Sequence, residues 1–89
     1  MHKILLVEDD ETIRQQVKKI MEQWGFEVIA VDDFMDVLGT FVQTNPHLIL
    51  MDIGLPLYNG YHWCQEIRKV SKVPIMFLSS RDQAMDIVM

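Results

Sequence analysis

Two apolar runs in this 89-residue chain end on carboxylates: Lys3-Ile4-Leu5-Leu6-Val7 stops at Glu8-Asp9-Asp10, and His47-Leu48-Ile49-Leu50-Met51 stops at Asp52. If both runs are buried parallel strands, their ends meet at one edge of a sheet, where open α/β folds place their sites. Acids crowded there repel one another unless a hard cation such as Mg²⁺ neutralises them. That chemistry suits an aspartate at position 52 that accepts a phosphoryl group with metal assistance.

The elements that must position these groups follow from the pattern. Residues 3–7, 26–31, 47–52 and 73–78 read as strands, the first as an apolar run buried on both faces. Between them, helices are expected over about 10–24, 33–43 and 60–70, and a further helix is expected to begin at Asp82. In the first helix, Ile13, Val17, Ile20 and Trp24 make the apolar stripe, Asp9 or Asp10 caps the start, and Gly25 ends it. Asp32 and Asp33 are the expected caps of the second helix, and Asn45-Pro46 stops it. Trp63, Cys64, Ile67 and Val70 are the expected buried side of the third, and the segment 54–60 is a loop by composition. The β-α-β-α-β-α-β-α alternation calls for a doubly wound α/β fold with a parallel sheet.

Composition narrows the function classes. The length allows one small domain, and 49% apolar residues suit an ordinary packed core. No run of 18 apolar residues exists, so no transmembrane helix is expected, and acid follows the start too soon for a signal peptide. A net charge of −5 argues against direct nucleic-acid binding by this segment. The single cysteine, Cys64, cannot form an internal disulfide, which fits a reducing, cytoplasmic setting. His2, His47 and His62 make no metal-ligand spacing with Cys64 and read as surface or packing residues.

Three motifs in order carry a resemblance: Leu5-Leu6-Val7-Glu8-Asp9-Asp10, Leu50-Met51-Asp52-Ile53-Gly54-Leu55-Pro56-Leu57-Tyr58-Asn59-Gly60, and Val73-Pro74-Ile75-Met76-Phe77-Leu78-Ser79-Ser80. Together they resemble the receiver domain of two-component response regulators. The acidic triplet and the tail Leu78-Ser79-Ser80-Arg81-Asp82 are most similar to the OmpR/PhoB-type branch. Tyr61-His62-Trp63-Cys64 and the stretch 77–82 resemble, within that branch, regulators of bacitracin and cationic-peptide resistance.

The resemblance implies a flavodoxin-like fold with strand order 2-1-3-4. It implies Asp52 as phosphoacceptor, with Mg²⁺ or Mn²⁺ held by Asp9, by Asp52, by the backbone carbonyl of Gly54, and by Glu8 through water. Ser79 and Ser80 match the positions that bind the phosphoryl group and switch on activation. Pro56, Asn59 and Gly60 match the structural loop, while Asp10 is best read as a helix cap. The implied donor is a sensor histidine kinase, and the implied output is transcription through a DNA-binding domain, with no membrane role. Such a domain is a switch that assists its own phosphorylation and dephosphorylation, not a turnover enzyme.

Against the resemblance, a receiver continues through a fifth strand bearing a phosphate-binding Lys and through a fifth helix. Neither is recognised here, nor is an effector domain, so the chain reads as the N-terminal part of a receiver. Strand 4 would then be an open edge, and self-association or a homodimer through it and the partial fourth helix is expected. Two other classes compete. A haloacid-dehalogenase-type phosphohydrolase needs a second acid two residues after its nucleophile, where Gly54 stands. A phosphorylation-independent interaction module of the same fold needs no intact acid cluster.

Overall fold

The computed structural model describes residues 2–78 and the backbone of strand residues 85–88. The elements are β1 (Lys3–Val7), α1 (Glu11–Gln23), β2 (Glu27–Ala30), α2 (Val37–Thr44), β3 (Leu48–Asp52), α3 (Gly60–Arg68), β4 (Ile75–Leu78) and β5 (Met85–Val88). The sheet order is β2-β1-β3-β4-β5, and its first four strands are parallel, as expected.

The apolar runs became strands buried on both faces. Leu5, Val7, Ile49 and Met51 point into the core shared with α2 and α3, while Ile4, Leu6 and Leu50 join the cluster on the α1 side. Their alternation is the two-residue period of a strand. Each such side chain contributes about 1.5–3 kcal/mol on leaving water, which makes β1 and β3 the rigid centre of the domain. In register, Leu6 lies beside Leu50 and Val7 beside Met51, so Glu8 and Asp52 emerge from neighbouring strands at the same edge.

Several expectations need correction. Residues 85–88 are not helical; they form β5, antiparallel to β4. Local sequence favours a helix there, but β4 would otherwise present a row of unpaired backbone groups, and the antiparallel strand satisfies them. The edge thought to be open for self-association is therefore closed from within the chain. This antiparallel β5, Met85-Asp86-Ile87-Val88, carries no lysine and is not the Lys-bearing fifth strand that the resemblance implies. Ser79, Ser80, Arg81 and Asp82 lie outside the described residues.

The caps and stripes also shift. Asp10 caps α1, its Oδ1 accepting from the amides of Thr12 at 2.9 Å and Ile13 at 3.1 Å. Asp36, not Asp32 or Asp33, caps α2 through the Gly39 amide at 2.9 Å. On α1 the packed side is Val17 and Met21, whereas Ile20 is 49% and Trp24 77% exposed. On the third helix Trp63, Cys64 and Ile67 are buried, but Val70 lies beyond its end and is exposed. Gly25 leaves α1 with φ 91°, a left-handed turn that favours glycine. Among the described residues, no helix is long and apolar enough to cross a membrane.

Candidate metal and phosphoacceptor site

Glu8, Asp9 and Asp52 meet at the C-terminal rim of the sheet. One carboxylate oxygen from each lies within 4.8 Å of the others. Glu8 is 1% and Asp52 2% exposed, while Asp9 faces solvent. The strand ends explain the burial: β1 and β3 are the interior strands of the sheet, so residues at their tips stay beneath the loops that follow.

Hydrogen bonding at this rim is incomplete. The Asp10 amide donates to Glu8 Oε2 at 3.1 Å, and the Gly54 amide donates to Asp52 Oδ1 at 3.1 Å. Glu8 Oε1 is buried and accepts no hydrogen bond. Burial pushes the Glu8 carboxyl from 4.5 up to about 7. The Asp10 amide pulls it down, and Asp52 and Asp9 push it up again, the former by hydrogen bonding as well as by charge. Three clustered carboxylates, one with an orphaned buried oxygen, form a donor set that fits a hard divalent cation.

The loop after β3 locks onto this rim. The Gly60 amide donates to the Ile53 carbonyl at 3.0 Å, and the Ile53 amide to the Leu78 carbonyl at 3.1 Å. A Cβ on Gly60 would stand 2.4 Å from the Asp52 carbonyl oxygen and 2.9 Å from Met51 Cγ, so only glycine lets α3 begin this close to Asp52. Asn59 caps α3, its Oδ1 accepting from the His62 amide at 3.0 Å. Pro56 is exposed in the loop, and its carbonyl accepts from the Tyr58 amide at 2.8 Å.

Of the site residues read from sequence, Glu8, Asp9 and Asp52 come together, the Gly54 amide bonds Asp52, Gly60 lies against the Asp52 carbonyl, and Asn59 caps α3. Ser79 and Ser80 lie outside the described residues. Sequence reasoning missed that Asp10 serves the site as well as the helix: its side chain caps α1 while its amide holds Glu8. Two adjacent acids after a strand signal a cap, but which backbone amide turns back is a matter of loop geometry.

A parallel 2-1-3-4 arrangement with an acid cluster at this rim defines a class of protein, and comparison with known proteins names it. Residues 4–89 match the family model "Response regulator receiver domain", and the chain belongs to that family. Response regulator protein GraR of Staphylococcus haemolyticus is 54% identical over 86 residues, covering 97% of this chain and 38% of the relative; GraR of Staphylococcus aureus gives the same figures. The chain thus spans under two-fifths of the length of these curated relatives.

Among solved structures, the N-terminal domain of the nisin resistance regulator NsrR superposes with TM-score 0.84 at 42% identity, covering 97% of this chain and 73% of that one. Response regulator TrrA of Thermotoga maritima, in complex with Mg²⁺-BeF, gives TM-score 0.84 at 31% identity over 90% of this chain and 70% of its own. TrrA has also been solved in complex with the histidine kinase ThkA, at TM-score 0.81, 30% identity, and coverage of 90% and 70%. The family and branch expected from the three motifs are borne out.

Proposed function

We propose that this chain is the N-terminal part of a receiver domain that takes a phosphoryl group from a sensor histidine kinase onto Asp52. The observation that carries the reading is a carboxylate only 2% exposed at a strand tip, with two further carboxylates within 4.8 Å. Such crowding is costly unless positive charge arrives. The family's Mg²⁺-dependent chemistry supplies that charge, and TrrA, solved with Mg²⁺-BeF, supports the analogy.

In this reading Asp9, Asp52 and the Gly54 carbonyl hold Mg²⁺ or Mn²⁺, with Glu8 acting through water. The bound ion would neutralise phosphoryl oxygens. The chain's own residues do the rest. An Asp52 oxygen attacks phosphorus, the N–P bond of the donor phosphohistidine breaks, and the departing imidazole nitrogen is left to take a proton. The product is an acyl phosphate on Asp52. Ser79 offers a hydroxyl and Ser80 a backbone amide to its oxygens. The acyl phosphate later hydrolyses, so the domain is a self-modifying cytoplasmic switch and not a turnover enzyme. A DNA-binding effector domain would convert the switch into transcriptional control.

The test is incubation with Mg²⁺ and a small-molecule phosphodonor, followed by intact mass and peptide mapping, with Asp52→Asn alongside. One phosphoryl adduct mapped to Asp52 and stable for minutes is expected. Rapid catalytic release of phosphate would point to a hydrolase. No Asp52-dependent adduct would leave the interaction module as the better reading.

A further inference from the structure

We propose that the loop joining Asp52 to α3 holds a strained γ-turn, clamped by three aromatic rings, that yields when Asp52 is modified. This rests on the phosphoacceptor reading above and concerns how the modified state is read out.

The turn is defined by two observations. Leu57 has φ 67°, in the left-handed region, and the Tyr58 amide donates to the Pro56 carbonyl at 2.8 Å across it. A γ-turn with positive φ at its centre is rare and strained, more so for a bulky residue. Leu57 is 71% exposed, so burial of its side chain does not offset that strain. Strain of this kind persists only where surrounding structure enforces it.

The enforcement comes from both sides. Upstream, Ile53 is fixed by Leu78 and Gly54 by Asp52 Oδ1. Downstream, Gly60 abuts the Asp52 carbonyl. Between these anchors the Tyr58 ring stacks on His62 at 4.4 Å and meets Trp63 edge-on at 5.7 Å, with His62 against Trp63 at 4.8 Å. The Trp63 indole N–H is buried without a hydrogen-bond partner, so ring contacts, not a polar anchor, set its surroundings.

The coupling follows from Gly54. Its amide now bonds a charged Asp52 oxygen, and a group attached to Asp52 weakens that acceptor. Gly54 then shifts while Gly60 stays bonded to the Ile53 carbonyl, and the short span between them has one strained point, Leu57, at which to give. A relaxing turn moves Tyr58 off its ring partners. Because the unmodified state carries the strain, its release adds to the affinity for whatever occupies Asp52.

The experiment uses Trp24→Phe, which removes the exposed indole at the C-cap of α1, so that Trp63 is the one tryptophan left to report under selective excitation. Mg²⁺ with beryllofluoride is titrated in, and Asp52→Asn is the control. A saturable Trp63 spectral change is expected in the parent and none with Asp52→Asn. Leu57→Gly relieves the left-handed strain before binding, so its affinity for the same probe falls about three- to tenfold. Unfolded-state entropy does not enter, because binding compares two folded states.

Tyr58→Leu should bind the probe and lose most of the Trp63 change. Binding without any Trp63 response, or Leu57→Gly binding as tightly as the parent or more tightly, overturns the inference and leaves the phosphoacceptor reading standing. Absence of any Asp52-dependent binding removes both.

Discussion

The sheet has two polar rims, and they are finished differently. At the rim where β1 and β3 begin, the Lys3 amide donates to His47 Nδ1 and the His47 amide to the Lys3 carbonyl, both at 2.9 Å. Lys3 Nζ reaches the Thr44 carbonyl at 3.4 Å, and the His2 ring meets His47 edge-on at 4.9 Å. At the opposite rim, where the same strands end, Glu8, Asp9 and Asp52 converge and one buried oxygen has no partner. The first rim satisfies itself; the second needs something from outside. Electrostatics left incomplete by a rigid frame is the physical mark of a binding site.

Removing an acid should therefore improve the fold and ruin the site. Asp52→Asn is expected to lower divalent-ion affinity at least about 100-fold, equivalent to about 2.7 kcal/mol. It should also raise the thermal midpoint measured without metal, since one of the mutually repelling carboxylates is gone. Calorimetric titration and a melting curve on the same sample check both signs. A variant that melts lower than the parent in chelator would break the contrast between the rims.

Gly60→Ala tests how tightly the incomplete rim is framed. A methyl group would be forced against the Asp52 carbonyl oxygen, 2.4 Å away, and backbone there cannot give cheaply. Overpacking of this kind costs about 1–3 kcal/mol, read by urea denaturation. The loss should bring weaker metal binding with it, because Asp52 itself is displaced.

The frame was more legible in sequence than its trimmings. Apolar runs ending on acids announced β1, β3 and the site between them, because burial on both faces demands such runs and little else produces them. Other features depend on distant partners. Ile20 and Met21 are adjacent and both apolar, and only the position of β2 and Phe26 decides that Met21 turns inward while Ile20 stays exposed. Three aspartates, Asp32, Asp33 and Asp36, could each cap α2; the chain reaches helical geometry only at Val37, which selects Asp36. The residues of β5 carry a helical pattern, yet the hydrogen-bonding demand of the β4 edge, invisible in a local window, sets their conformation. The strain at Leu57 has no sequence signal at all, since leucine is not a residue one reads as left-handed.

The pH dependence sharpens the comparison further. In the folded chain Glu8 titrates near 7 instead of 4.5, so the native state keeps a proton that the unfolded chain releases. Stability from this group is therefore lost as pH rises from about 4.5 to 7 and is level above that, a change of order 1–3 kcal/mol without metal. A divalent ion held at this site is expected to reverse the trend, because it would bind the deprotonated carboxylates with an affinity that climbs over the same range. Denaturation midpoints across pH, with Mg²⁺ and with chelator, should diverge as pH increases. Glu8→Gln should flatten the chelator curve.

The smallest effect belongs to the finished rim. His47 Nδ1 accepts a backbone hydrogen bond, so the ring proton sits on Nε2, and imidazole stands in for a carbonyl at the start of the β1–β3 ladder. His47→Ala removes that acceptor from the Lys3 amide. The position is exposed and water can take the bond over, which limits the loss to about 0.5–1 kcal/mol. Faster exchange of the Lys3 amide should accompany it. Divalent affinity at the far rim should not change, since β1 and β3 remain buried along the whole length between the two ends. A shift in metal affinity would mean that the strands transmit, and that the two rims are one coupled system instead of two independent ones.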